Sequence, residues 1–198
     1  INWTWQSLDS ISVKSDLGGA MTAGNSPTDR SKLSTKRHIL TDKRGIPLSV
    51  VISPASTHDI KLVTDVVDKA VIKRPKSISK SKSTSRIRNA RRKRLLQHLC
   101  LDKGYKSTEE ELELIKRGYI LHIPLKKKRG EEKDQEQKPK AIPFRKKHSA
   151  KRLVVERTNS WHNRFRKLFT RYEKKAENYL GLVQFSCCII IYRKIILE

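Results

Sequence analysis

The sequence predicts an α/β domain: a mixed sheet of three antiparallel strands followed by parallel strands, flanked by helices. Three observations predict it. β-like apolar runs fill the early part of the chain, two of them joined by the turn Asp42-Lys43-Arg44-Gly45. A strand–helix–strand order between Leu96 and Leu125 implies a parallel pair with a crossover. The C-terminal part then carries two apolar patterns of helical period.

Taken in order, Ser7 to Lys14 alternates as a strand, with Asp9, Ile11 and Val13 on one face. Gly18 to Leu33 is rich in Gly, Asn, Ser, Pro and Asp and reads as a loop. Thr35–Thr41 and Ile46–Pro54 are the hairpin strands, with Gly45 suited to a positive φ. Ile60, Val63, Val67 and Val71 recur at helical spacing up to Ile72, behind Thr57 or Asp59 as N-cap. Residues 73–94 hold eleven Lys or Arg among 22 and no acid, so they predict a flexible basic linker. Within Leu96 to Tyr105 a short apolar strand ends at Asp102, and Lys103-Gly104 turns the chain. Ser107 to Arg117 predicts a helix with Leu112 and Ile115 inward and a capping box at Ser107 or Thr108. Tyr119 to Leu125 is the next strand, and 126–148 a basic loop or insertion. Lys151–Tyr172 predicts an amphipathic helix with Val154, Trp161, Phe165, Leu168 and Tyr172 on the core side. Its other arc holds Arg152, Glu156, Asn159, Asn163 and Thr170. The final helix, 174–197, presents Leu180, Val183, Cys187, Ile190 and Ile191. One domain spanning 1–198 accommodates all of this.

Charge narrows the function. Forty-five Lys and Arg against 20 acids give a net charge of +25. Such an excess repels itself and calls for a polyanionic partner, with nucleic acid ahead of an anionic membrane surface. The longest apolar run, Cys187 to Tyr192, stops at Arg193-Lys194, well short of the ~20 residues of a span. INWTWQSLDS lacks the order of a signal peptide. Cys100, Cys187 and Cys188 have no zinc spacing and read as reduced thiols, which predicts a cytoplasmic chain. The chain starts at Ile1 and its one methionine is Met21, so the expectation is the C-terminal part of a longer protein.

Three carboxylates stand out. Asp9 shares a strand face with β-branched apolar residues, which is unfavourable unless it caps, pairs or binds metal; an exposed edge acid is the other reading. Asp102 ends a buried parallel strand, where open α/β sheets bind ligands. Glu156 is the one acid among twelve Lys and Arg between Gln137 and Tyr172. On its helix alone it reads equally as a surface acid paired with Arg152. If the fourth strand lies beside the first and the late helix packs over both, the three converge and need a cation between them. Mg²⁺ or Mn²⁺ suits such oxygen ligands, and two ions could drive an in-line phosphoryl displacement.

The segments TDRSKLSTKRHILTDKRGIPLSVVISPASTHD, LCLDKGY and VVERTNSWHNRFRKLFTRYEKKAENY resemble the DDE transposases of bacterial insertion sequences. The group is the four/five-like one, with a ribonuclease-H-like catalytic domain and a Tyr-Arg-Glu-Lys-type signature. The resemblance runs from about Leu8 to Lys194. It implies that Asp9, Asp102 and Glu156 are the catalytic, metal-binding triad for DNA cleavage and strand transfer. Arg152 matches the signature arginine, while Ser149 stands at the tyrosine position and Asn163 at the lysine position, with Arg164 beside it. The expected DNA contacts are Lys36, Arg37, Lys103, Arg152, Arg157, Asn163, Arg164 and Arg166. Expected partners are double-stranded DNA, both element ends and target, and a second copy in an active homodimer, with no membrane. The expected location is the bacterial cytoplasm, at the nucleoid. The family also carries an N-terminal region for recognising element ends, and the expectation from the resemblance is a truncated copy without it. The alternative is an inactive remnant that only binds nucleic acid; a ribosomal-type basic protein is disfavoured by the ordered strands and helices.

Overall fold

The alternation that begins the chain does form a strand, β1 (Trp5–Lys14), and it sends its side chains to opposite faces of a sheet. Leu8 packs on one face, whereas Val13, with Ile11, packs on the other. A computed structural model describes residues 1–17, 19, 22–27, 29–75, 97–124 and 152–197. The basic stretch 73–94 is described only through Pro75, and the stretch 126–148 lies outside the described residues.

The remaining strands are β2 (Gly24–Asn25), β3 (Leu33–Asp42), β4 (Pro47–Pro54), β5 (Gln97–Cys100) and β6 (Tyr119–His122). Their order is β2-β3-β1-β5-β6, with β4 also pairing β3. β1, β3 and β4 are antiparallel, while β1, β5 and β6 are parallel, as the sequence predicts. The β3–β4 hairpin turns at Gly45, whose φ is +90°. Buried Asp42 closes the turn by accepting bonds from the N–H groups of Arg44 (2.8 Å) and Ile46 (2.9 Å).

Helices cover both faces. On one side, α1 (Val63–Asp68) and α2 (Thr108–Lys116) bury Val63, Val66, Val67 and Leu114 against Leu8, Leu40, Leu48 and Leu99. On the other lie α3 (Leu153–Asn163), α4 (Arg166–Phe169) and α5 (Ala176–Tyr192), continued by a π-helical turn Arg193–Leu197. There Leu168, Tyr179 and Val183 pack on Val13. Each such side chain contributes about 1.5–3 kcal/mol by leaving water.

Three helical expectations need correction. The Ile60–Ile72 helix is a 3₁₀ turn, Asp59–Leu62, followed by the short α1, and Val71 is 88% exposed. No side chain caps either piece. In α2, Leu112 and Ile115 face outward and Leu114 inward, because the sheet meets the helix a residue away from its apolar stripe. Ser107 is the N-cap, without a side-chain bond.

The helix expected over Lys151–Tyr172 breaks at Phe165, which is extended. The cause lies just beyond, in fully buried Arg171. Its backbone N–H donates to the Lys14 carbonyl (2.7 Å), drawing the chain out beside the end of β1. Its guanidinium donates to Thr22 Oγ1 (2.7 Å), Thr35 Oγ1 (2.8 Å) and the carbonyls of Glu173 (2.9 Å) and Lys174 (3.2 Å). These bonds satisfy a buried cation that would otherwise be costly.

The C-terminal helix also exceeds its expectation. Over Ala176–Leu197, 22 residues whose most apolar 18-residue window has mean hydropathy 1.8, it is long and apolar enough by those measures to cross a membrane. In the fold its Tyr179, Val183, Ser186, Cys187 and Ile190 are buried and the helix packs along β4.

Candidate active site

Parallel pairing of β1 with β5 sets Ser7 opposite Cys100. Two residues further along stand Asp9, on the helix-α3 face, and Asp102, just past the end of β5. α3 crosses β1 and β3 here, with Glu156 in its first turn, where the helix dipole favours negative charge. The three acids, far apart in sequence, therefore meet at one end of the sheet.

Arg152, the N-cap of α3, links two of them. Its Nη1 donates to Asp102 Oδ1 at 2.7 Å, and its Nε lies 3.3 Å from Glu156 Oε1. The Arg152–Glu156 pair expected from the helix alone is thus present, inside a larger cluster. Asp9 is tied to the same helix, because Asn159 Nδ2 donates to Asp9 Oδ2 at 3.3 Å. The side chains of Arg152, Asp102 and Glu156 are 32%, 31% and 43% exposed, so the cluster opens to solvent.

Burial pushes the Asp9 carboxyl up to about 6. Arg152 and the Ser10 backbone N–H oppose that shift, and the nearby charges of Glu156 and Asp102 add to it. Cys100 feels the same three acids, and burial raises its thiol to about 11, which makes it a poor nucleophile. Burial also raises Tyr105 above the ordinary phenol range.

Among the described residues, no group of three His, Cys, Asp or Glu side chains stands ready to hold one ion. Among the described residues, the Arg152 guanidinium stands beside Asp102 and Glu156. The donor set nonetheless fits a hard divalent cation, since it consists of carboxylates, partly open to water, that repel one another.

The expected DNA contacts divide sharply. Arg157, Arg164 and Arg166 are exposed on or after α3. Arg157 Nη2 donates to the Arg44 carbonyl (3.0 Å) and its guanidinium lies 5.1 Å from the Trp161 ring centre. Arg37 departs from its expectation: it is a core residue, 0% exposed, because α3 and α5 cover its face of β3. Its Nη2 donates to Asn163 Oδ1 (3.1 Å), so Asn163 too is engaged inward. Burial lowers the Arg37 pKa, opposed by Tyr179. Lys36 is likewise occupied, pairing with Asp59 (2.8 Å) and donating to the Thr57 carbonyl (2.8 Å). The Lys103 side chain lies outside the described residues.

Sequence reasoning missed three contributors. Asn159 was visible three residues after Glu156, on the same arc, without an assigned partner. Arg193 and Lys194 rim a groove floored by Trp161, Phe165 and Ile189, with Arg164 on its edge. Their signal was a basic pair directly after an apolar helical run.

Sheet order, acid placement and basic surface together define a family of nucleic-acid-processing domains, and this chain belongs to the DDE transposase domain family, whose model matches residues 7–191. It is similar to a Burkholderia cepacia protein named as the predicted transposase of insertion sequence element IS402. The two are 27% identical over 182 residues, covering 91% of this chain and 73% of the relative. Among solved structures it resembles the piggyBac transposase, seen in a synaptic complex with hairpin DNA, at a TM-score of 0.55 and 8% identity. That likeness covers 96% of this chain but 46% of the piggyBac chain, so this chain spans about half of it. At such identity the likeness is one of fold, the ribonuclease-H-like mixed sheet. The family uses divalent metal ions.

Proposed function

We propose that this chain is the catalytic domain of an insertion-sequence transposase, acting on double-stranded DNA with Asp9, Asp102 and Glu156 as its catalytic acids. One observation carries the reading: three acids from distant parts of the chain converge at the end of the parallel β1–β5 pair, around a single arginine. In cleavage, a water oxygen forms a bond to phosphorus as the P–O3′ bond breaks, leaving a 3′-hydroxyl. In strand transfer, that 3′-hydroxyl attacks a target phosphodiester and displaces a second 3′-oxygen. Two Mg²⁺ or Mn²⁺ ions, held by the three acids, would supply Lewis acidity for the attacking and leaving oxygens.

The chain's own groups do the rest. Asp9, partly buried and bonded to Asn159, holds a fixed orientation. Arg152 withdraws from Asp102 and Glu156 and remains close enough to pair with a phosphate oxygen. Arg157, Arg164, Arg166 and the Arg193–Lys194 pair hold the DNA backbone without reading its sequence. Two copies act together in the active complex, because two element ends have to be joined to one target. The setting of this chemistry is chromosomal DNA in the bacterial cytoplasm.

The test is cleavage of element-end DNA in Mg²⁺ or Mn²⁺ by the wild-type chain and Asp102→Asn. Loss of a ligand should lower cleavage by more than about 100-fold while DNA binding persists. Equal cleavage by both proteins would sink the triad assignment. Salt-dependent binding with no metal-dependent cleavage by the wild type would instead identify a non-catalytic binder.

A further inference from the structure

We infer that Asn159 is a positioning residue of the active centre, fixing Asp9 on β1 relative to Glu156 on α3. The inference rests on the catalytic reading above and adds to it a residue outside the triad and its signature. Asn159 is 5% exposed and belongs to the buried stripe Val155, Thr158, Asn159 and His162 of α3. Its Nδ2 donates to Asp9 Oδ2 at 3.3 Å. The orientation of the amide follows from the partner, since an ionised carboxylate only accepts.

The other half of the amide makes the position informative. Asn159 Oδ1 is buried and has no hydrogen-bond partner among the described residues. An unsatisfied buried acceptor costs about 1–3 kcal/mol, a cost that leucine would avoid. Among the described residues the amide is therefore explained by its bond to a triad acid.

Other ties of α3 lead elsewhere. Thr158 Oγ1 donates to the Gly45 carbonyl (2.9 Å), and His162 Nδ1 meets Ser186 Oγ (2.7 Å). These dock the helix on the hairpin and on α5. Arg152 connects α3 to Asp102, and Asn159 connects it to Asp9. With Glu156 on the helix itself, α3 is the common frame for all three acids.

The experiment compares wild type, Asn159→Leu, Asn159→Ala and Asp102→Asn as full chains. It measures Mn²⁺ bound to metal-depleted protein, thermal stability without metal, and kcat and KM for DNA cleavage. A positioning role predicts that Asn159→Leu keeps or raises its metal-free melting temperature. Its Mn²⁺ affinity should fall about 10- to 100-fold, and kcat should fall with little change in KM. Asn159→Ala should show the same affinity loss, and serves if the leucine variant does not fold. If either folded variant binds Mn²⁺ as tightly as wild type while Asp102→Asn does not, Asn159 is structural and the inference is overturned alone. If the wild type neither binds Mn²⁺ nor cleaves, the catalytic reading and the inference are overturned together.

Discussion

At the scale of single residues, Arg152 sets the charge balance of the acid cluster. It pairs with both Asp102 and Glu156, offsetting one of their two negative charges, and lowers the energy of a charged Asp9. Because these groups are about a third exposed or more, Arg152→Gln should cost only about 0.5–1 kcal/mol in metal-free urea denaturation. Saturating Mg²⁺ should abolish that loss, because the ion replaces the missing positive charge. An identical loss with and without Mg²⁺ would show that Arg152 and the metal do not share the site. The acids themselves were legible in the sequence because each stood in an unfavourable context: an apolar strand face, a strand end, a basic helix. Arg37 was not. Strand alternation gives its face, but whether a helix covers that face depends on α3 and α5, encoded more than a hundred residues later.

At the scale of elements, docking of the β3–β4 hairpin on α3 is the contact most open to test. Gly45 combines a φ of +90° with close packing, since a Cβ there would lie 3.0 Å from Thr158 Oγ1 and 3.3 Å from Val154 Cγ1. Gly45→Ala should therefore destabilise the fold by about 1–2 kcal/mol. Gly181, inside α5, has nothing within 4 Å of such a Cβ. Gly181→Ala should stabilise by up to about 1 kcal/mol. Chemical denaturation of both variants is the measurement, and similar losses at both would contradict the account. The hairpin, the parallel crossover and the last helix were legible from period and turn chemistry. The break at Phe165 was not, because it answers to a long-range demand, the burial of Arg171 beside Lys14, that leaves no local signal. The outward turn of Leu112 and Ile115 has the same origin: the sheet, not the helix's own pattern, selects the buried side.

At the scale of the whole molecule, two buried histidines link stability to pH. Burial lowers His38 to about 4, with Asp59 opposing and Lys36 reinforcing the shift. Burial, reinforced by Arg37, lowers His162 to about 3. Both remain neutral in the folded protein while the unfolded chain takes up protons below about 6.5. Their contribution is complete above pH 6.5 and is lost as pH falls, through about 4 for His38 and about 3 for His162. Each should cost up to about 1.4 kcal/mol per pH unit within its window. Urea midpoints should hold between pH 7.5 and about 6.5 and fall from there to pH 4.5, less steeply in His162→Gln; an unchanged slope in that variant would remove His162 from the account. The parallel pairing of β1 with β5 has a consequence for the life of the chain as well. β1 leaves the ribosome before β5, which follows after residue 96, and α3 comes only after residue 152. Asp9 waits for both, so a nascent or clipped chain lacking α3 holds no assembled centre. The acid cluster is thereby complete only once α3 has folded onto the sheet.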